Sequence, residues 1–169
     1  MRATFGKGAA IALGMVGSAL VAAPSVAADG KVGRGEYLAT IMDCGGCHTP
    51  GVFLGKPDAG RALAGSEVGF QIPGLGVFYP PNLTPDPETG LGTWTEAQIV
   101  EAVRSGLRPD GRMLAPAMPY RHYARLTDDD AYALAAYLKS LKPVRNAVPP
   151  LAGAAEAPSA PYLTVVMPK

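Results

Sequence analysis

The alternation of apolar and polar positions marks three helices separated by long irregular stretches. Between Gly33 and Asp43, Tyr37, Leu38 and Ile41 recur at spacings of one and four, the stripe of a short amphipathic helix. A second helix is predicted from Thr93-Trp94-Thr95-Glu96, with Ile99, Ala102 and Val103 inward and Gly106 as its stop. Thr95 and Gln98 have the spacing of a capping box. A third begins at Thr127-Asp128-Asp129-Asp130, where Thr127 is the expected N-cap, Asp130 the residue reaching back, and three acids suit the positive end of the helix dipole. Leu134, Leu138 and Leu141 follow at i, i+4 and i+7 beside Ala131 and Ala135, with Lys139 and Lys142 near the end and Pro143 as the stop. Residues 49–92 are rich in glycine and proline, and predict little regular structure beyond one short helix near Gly60–Ala64. An irregular stretch of that length suits a compact domain only if it wraps something. Residues 108–123 read as a second loop, and 144–169 as an extended Pro/Ala-rich tail without periodicity.

The N-terminus adds a destination. Arg2 and Lys7 precede an apolar run from Gly8 to Ala23, and Val26-Ala27-Ala28 supplies small residues before Asp29. This is the pattern of a signal peptide over 1–28, cleaved near Ala28. The run falls short of the roughly 20 residues that span a bilayer, so the mature chain is expected without a transmembrane segment, in the periplasm. Processing lowers Lys+Arg from 15 to 13 against 14 acids, a formal charge of −1. That balance excludes a nucleic-acid binder by bulk charge. Aromatics make up only 7% of the chain, so a large apolar cofactor would help to fill its core.

Such a cofactor has a candidate anchor in Cys44-Gly45-Gly46-Cys47-His48. C-x-x-C-H is the spacing of covalent haem attachment: two thiols one short turn apart can add across two vinyl groups, and the next residue can donate an imidazole nitrogen to iron. Gly45 and Gly46 leave the porphyrin edge unobstructed. Three other readings exist. A zinc site could use Cys44, Cys47, His48 and His122, but the usual histidine spacing is missing. A thioredoxin-like pair would need a βαβ setting. A Cys44–Cys47 disulfide would close a tiny loop and stabilise little.

A second axial ligand would come from downstream. Met113, Met118 and His122 fall in the loop between the last two helices, whereas Met42 and Met167 are poorly placed. Pro116 and Pro119 stiffen the chain around Met118, which is the expected ligand; Met113, after the flexible Asp110-Gly111, is the runner-up. His122 is expected at the surface or near a propionate. A thioether ligand raises the reduction potential and blocks the site where peroxide or dioxygen would bind, so the expectation is an electron carrier and not an enzyme.

Taken together, Gly35-Glu36-Tyr37-Leu38-Ala39, Cys44 to Thr49, the block from Pro81-Asn82-Leu83-Thr84-Pro85-Asp86 to Trp94-Thr95, Met118-Pro119-Tyr120, and Leu126 to Asp130 with Ala135, Tyr137 and Leu138 resemble class I cytochromes c. More narrowly, they resemble the cytochrome c subunits and domains of bacterial periplasmic alcohol, sugar-acid and aldehyde dehydrogenases. The likeness covers roughly 33–143. It implies an all-α fold, a few helices around one covalently attached haem c, with domain limits 29–143 and the tail 144–169 outside. It also implies Met118 as distal ligand and places Asn82 and Trp94 at the haem edge, where the Trp94 indole could reach a propionate. Many such relatives carry three C-x-x-C-H motifs; this sequence holds one. The implied partners are a periplasmic dehydrogenase as donor and a further cytochrome or oxidase of the respiratory chain as acceptor, served either by a free carrier or by a permanent subunit of the complex. A haem enzyme or sensor with an open iron site is the remaining alternative.

Two finer expectations concern the surroundings. The carbonyl of Pro50 or Pro57, just after the motif, is expected to accept from His48 Nδ1 and strengthen the imidazole as a donor. Arg104, Arg108, Arg112, Arg121 and Arg125 cluster near the presumed methionine loop, either to pair with propionates or to steer an acidic partner.

Overall fold

The computed structural model describes residues 26–168. The expected signal segment lies outside the described residues except for 26–28, which open the first helix. Among the described residues there are five α-helices: α1 (Val26–Ile41), α2 (Cys44–His48), α3 (Glu96–Ser105), α4 (Tyr120–Tyr123) and α5 (Asp128–Ser140). Helix α3 starts and stops where its pattern predicts. Thr95 and Gln98 complete the capping box, and Gly106 closes the helix at φ 80. Helix α5 is capped by the Thr127 hydroxyl, which accepts from the Asp130 amide. The Asp130 carboxylate does not reach back; it takes the Arg34 guanidinium on both oxygens at 2.8 and 3.2 Å, tying α5 to α1.

Helix α1 differs from its predicted stripe. Tyr37 and Ile41 are 53% and 59% exposed, and only Leu38 of the three is buried. The buried face is small: Gly35, Leu38 and Ala39. A Cβ at Gly35 would run into the backbone carbonyl of Ala133, so α1 and α5 meet main chain to main chain. Close approach replaced bulk as the packing device. Tyr37 is instead covered by the Arg34 guanidinium, 5.3 Å from its ring centroid. Between α1, α3 and α5 the core gathers Ala39, Ile99, Val100, Leu134, Ala135 and Leu138, joined by Leu63 and Leu91 from the long loop.

The expectation of an all-α fold does not hold. A hairpin of β1 (Gly69–Ile72) and β2 (Gly76–Phe78) pairs Phe70 with Phe78. Two strands alone are marginal in water. The tail supplies the rest: β3 (Ala152–Gly153) adds antiparallel to β2, and β4 (Tyr162–Leu163) adds parallel to β1, giving the order β3-β2-β1-β4. Val77, Tyr79 and Ala152 form a small second core beneath the sheet, and the Tyr79 hydroxyl donates to the Ala160 carbonyl. The loop 49–92 also holds two 3₁₀ turns, Val52–Leu54 and Ala59–Arg61, the second overlapping the short helix expected near Gly60–Ala64. Within the expected loop 108–123, α4 and a Leu107–Met113 bridge give local order.

Candidate functional site

Helix α1 ends at Ile41, and Asp43, at φ 53, turns the chain sharply into α2. The motif is thus hung from the end of a helix that α5 holds in place. Cys44 is buried, Cys47 is half-buried, and both thiols are free. Burial, then the neighbouring Asp43 charge, pushes the Cys44 thiol up to about 11, and the same two causes raise Cys47. Neither sulfur is the ready thiolate that a redox-active pair requires. No cluster of three or more His, Cys, Asp or Glu side chains able to hold a metal ion exists among the described residues, and His122 is exposed on α4.

His48 is 7% exposed, and its Nδ1 lies 2.7 Å from the carbonyl oxygen of Pro81. A carbonyl only accepts, so Nδ1 carries the hydrogen and Nε2 keeps its lone pair. Burial lowers the pKa of His48, and the Pro81 bond opposes that shift without cancelling it. A neutral imidazole with one nitrogen pinned and the other free to donate is a metal ligand in waiting. The acceptor is Pro81 rather than Pro50 or Pro57: the long loop doubles back 33 residues after His48 and brings the Pro81 carbonyl to the imidazole.

Cys44, Cys47, His48, Asn82, Trp94 and Met118 all line one cleft of about 630 Å³. Its walls are mainly apolar, with Ile99, Val103, Leu134 and Leu138 from α3 and α5. The volume falls in the ordinary range for cofactor sites, roughly 300–1,000 Å³. Two free thiols, an oriented imidazole and an apolar hollow fit a covalently attached haem. Met113 also borders the cleft but is 53% exposed, whereas Met118 is half-buried.

The polar groups around the cleft divide in two. Asn82, 1% exposed, has no polar atom to spare: its amide donates to the Thr89 hydroxyl and the Val144 carbonyl, while its oxygen accepts from the Thr84 amide and hydroxyl. Trp94 is half-buried, its indole N–H makes no hydrogen bond among the described residues, and the Arg108 guanidinium lies 5.2 Å from its ring centroid. Arg108 and Arg112 border the cleft and share Asp110. Arg104 pairs with Asp128, and Arg121 and Arg125 are exposed.

Several contributors had no signal in the sequence. The Tyr123 hydroxyl donates to the Met42 carbonyl at 3.0 Å, bracing α4 against the end of α1. Lys139 places its ammonium on the carbonyls of Leu91, Gly92 and Trp94 at 2.9–3.1 Å. Val148, Pro149, Pro150 and Leu151 of the tail also line the cleft. Only spatial neighbourhood reveals these, except that a lysine at the end of a helix is a routine carbonyl donor.

Comparison with known proteins agrees with this geometry. The family model for cytochrome c matches residues 32–142. The chain is 42% identical over 137 residues to the cytochrome c subunit of the quinone alcohol dehydrogenase of Gluconobacter oxydans, covering 80% of this chain and 27% of that one. It is 42% identical over 123 residues to the fructose dehydrogenase cytochrome subunit of Gluconobacter japonicus, covering 72% and 24%. It is 39% identical over 139 residues to the gluconate 2-dehydrogenase cytochrome c subunit of Pantoea cypripedii, covering 82% and 29%. The matched stretch therefore spans between 24% and 29% of the length of these relatives. Since the matched residues 32–142 enclose the whole cleft apart from its tail wall, the chain belongs to the cytochrome c family, whose members carry covalently bound c-type haem.

Proposed function

We propose that this protein is a single-haem electron-transfer module serving an exported dehydrogenase, and that it takes no part in substrate chemistry itself. The observation that carries this reading is that two side chains able to ligate iron, the imidazole of His48 and the thioether of Met118, line one apolar cleft together with the thiols of Cys44 and Cys47. Bound haem supplies a one-electron ferric/ferrous couple. Cys44 and Cys47 would hold it covalently, and His48 and Met118 would ligate its iron. Pro81 orients His48 and keeps its proton on Nδ1, and the apolar walls limit water. Trp94, with the Arg108 guanidinium over its ring, suits a propionate; Asn82 acts by holding the loop beneath.

The relatives named above belong to alcohol, fructose and gluconate dehydrogenases, which supports a dehydrogenase as donor; the signal-peptide pattern of residues 1–28 supports the periplasm as location. The acceptor is a further cytochrome or oxidase. Because those relatives are cytochrome subunits, a permanent subunit is the second reading, and co-purification at fixed stoichiometry separates it from a free carrier.

The test is spectroscopic. The oxidised protein is expected to show the weak sulfur-to-iron charge-transfer band. Met118→Ala abolishes it, lowers the reduction potential and lets carbon monoxide bind the reduced form; Met113→Ala leaves the band in place. A band that survives Met118→Ala sinks the ligand assignment, and carbon monoxide binding to the unaltered reduced protein sinks the carrier.

A further inference from the structure

The cytochrome c match stops at residue 142, yet the cleft does not. Val148, Pro149, Pro150 and Leu151 form part of its lining. Leu151, the last of them, is 42% exposed and stands at the margin of the cleft.

This segment is held at both ends. On the near side the Val144 amide donates to Thr84 Oγ1 at 3.1 Å, and the Val144 carbonyl accepts from the Asn82 amide at 2.7 Å. Next, the Asn146 amide donates to Thr89 Oγ1 at 3.1 Å and its side chain donates to the Ala64 carbonyl at 2.8 Å. Val148 then lies over Gly65, where any Cβ would meet its methyl. On the far side Ala152–Gly153 is paired with β2. Five residues, 147–151, bridge the two anchors. The two prolines among them remove backbone freedom, so little slack remains. The buried Asn82 amide bonds to the Thr89 hydroxyl and to the Val144 carbonyl, just ahead of this segment.

We infer that residues 147–151 are a strap that closes one side of the haem cleft against water, and that it sets the reduction potential and limits access of outside ligands to the iron. The inference rests on the electron-transfer reading above. Water admitted beside the haem solvates the more highly charged ferric state better than the ferrous, so a loosened strap lowers the potential. A loosened strap also widens the route for a small ligand that competes with Met118.

The experiment uses the full-length holoprotein with Asn146→Ala, which unlatches the near end, and separately with Pro149→Gly/Pro150→Gly, which keeps both anchors and frees the bridge. Two quantities are read: the reduction potential, and the affinity of the ferric form for added imidazole. The expected result is a roughly tenfold shift of the redox equilibrium toward ferric, about 59 mV for one electron, with tighter imidazole binding. A tail with a merely structural role would lower the melting temperature and leave both quantities unchanged, and that result overturns the strap. An unaltered protein without covalent haem or without the sulfur–iron band would overturn the electron-transfer reading, and the strap with it.

Discussion

Lys139 carries its charge into half-buried surroundings and spends all three donors on main-chain carbonyls of the loop that leads to Trp94. Removing it strands the Gly92 and Trp94 carbonyls, while that of Leu91 keeps the Trp94 amide. Lys139→Met is expected to cost about 2–3 kcal/mol, the scale of a charged hydrogen-bond group, read as a lower midpoint in urea unfolding. Asp86 makes a pH-dependent contribution. The Thr89 hydroxyl and amide, and then the Glu88 amide, hold its carboxyl below the usual carboxylate range. A depressed native pKa means that the unfolded chain takes up the proton first. The stabilisation is therefore complete above the unfolded value near pH 4 and is lost as pH falls through the native value. Asp86→Asn keeps the accepting oxygen and removes this titration, so its stability is expected to fall less steeply in acid; identical acid limbs in the two proteins would refute the assignment. At this scale the candidate attachment residues were legible because they are neighbours in the chain. Pro81 was not, because its partnership with His48 is made by a loop returning from 33 residues away.

At the scale of elements, the helices with strong local signals came out as read. Thr95 caps α3 through the amide of Gln98, and Thr95→Ala is expected to cost about 1 kcal/mol in thermal or chemical unfolding. Helix α1 was legible as a helix but not by its buried face. Periodicity weights large apolar residues, and here the contact with α5 is made by the absence of a side chain at Gly35. Gly35→Ala would ordinarily favour a helix, since alanine is the better helix former. In this place it should destabilise instead, by at least about 1–3 kcal/mol, because the added methyl meets the Ala133 carbonyl. A melting temperature raised by Gly35→Ala would show that the two helices do not pack this closely. The strands were hidden for a different reason. Two-residue strands such as Ala152–Gly153 and Tyr162–Leu163 are too short to carry any alternation, and they exist only because the β1–β2 hairpin offers its edges.

The whole molecule is built around its cleft. An apolar cavity costs about 24 cal/mol per Å³, so 630 Å³ left without its cofactor would cost up to about 15 kcal/mol, an upper bound because water can enter an open cleft. That is as large as the whole stability of a typical domain, about 5–15 kcal/mol. The chain with Cys44→Ser and Cys47→Ser, made without haem, is accordingly expected to lose its near-ultraviolet circular dichroism and to be cut rapidly by protease. A native-like spectrum would refute this dependence.

Covalent adjacency and helical periodicity are written in the chain itself, so the residues alone determined two of the three large helices with their caps, pointed to a covalently bound haem, and marked Cys44-Gly45-Gly46-Cys47-His48 as its candidate anchor. Which carbonyl fixes His48, how α1 meets α5, and where the tail runs depend on segments dozens of residues apart arriving at the same place. Those were decided by packing around the cleft, because hydrogen bonds such as Asn82 to Val144 have no local pattern and exist only once the fold has brought both ends together.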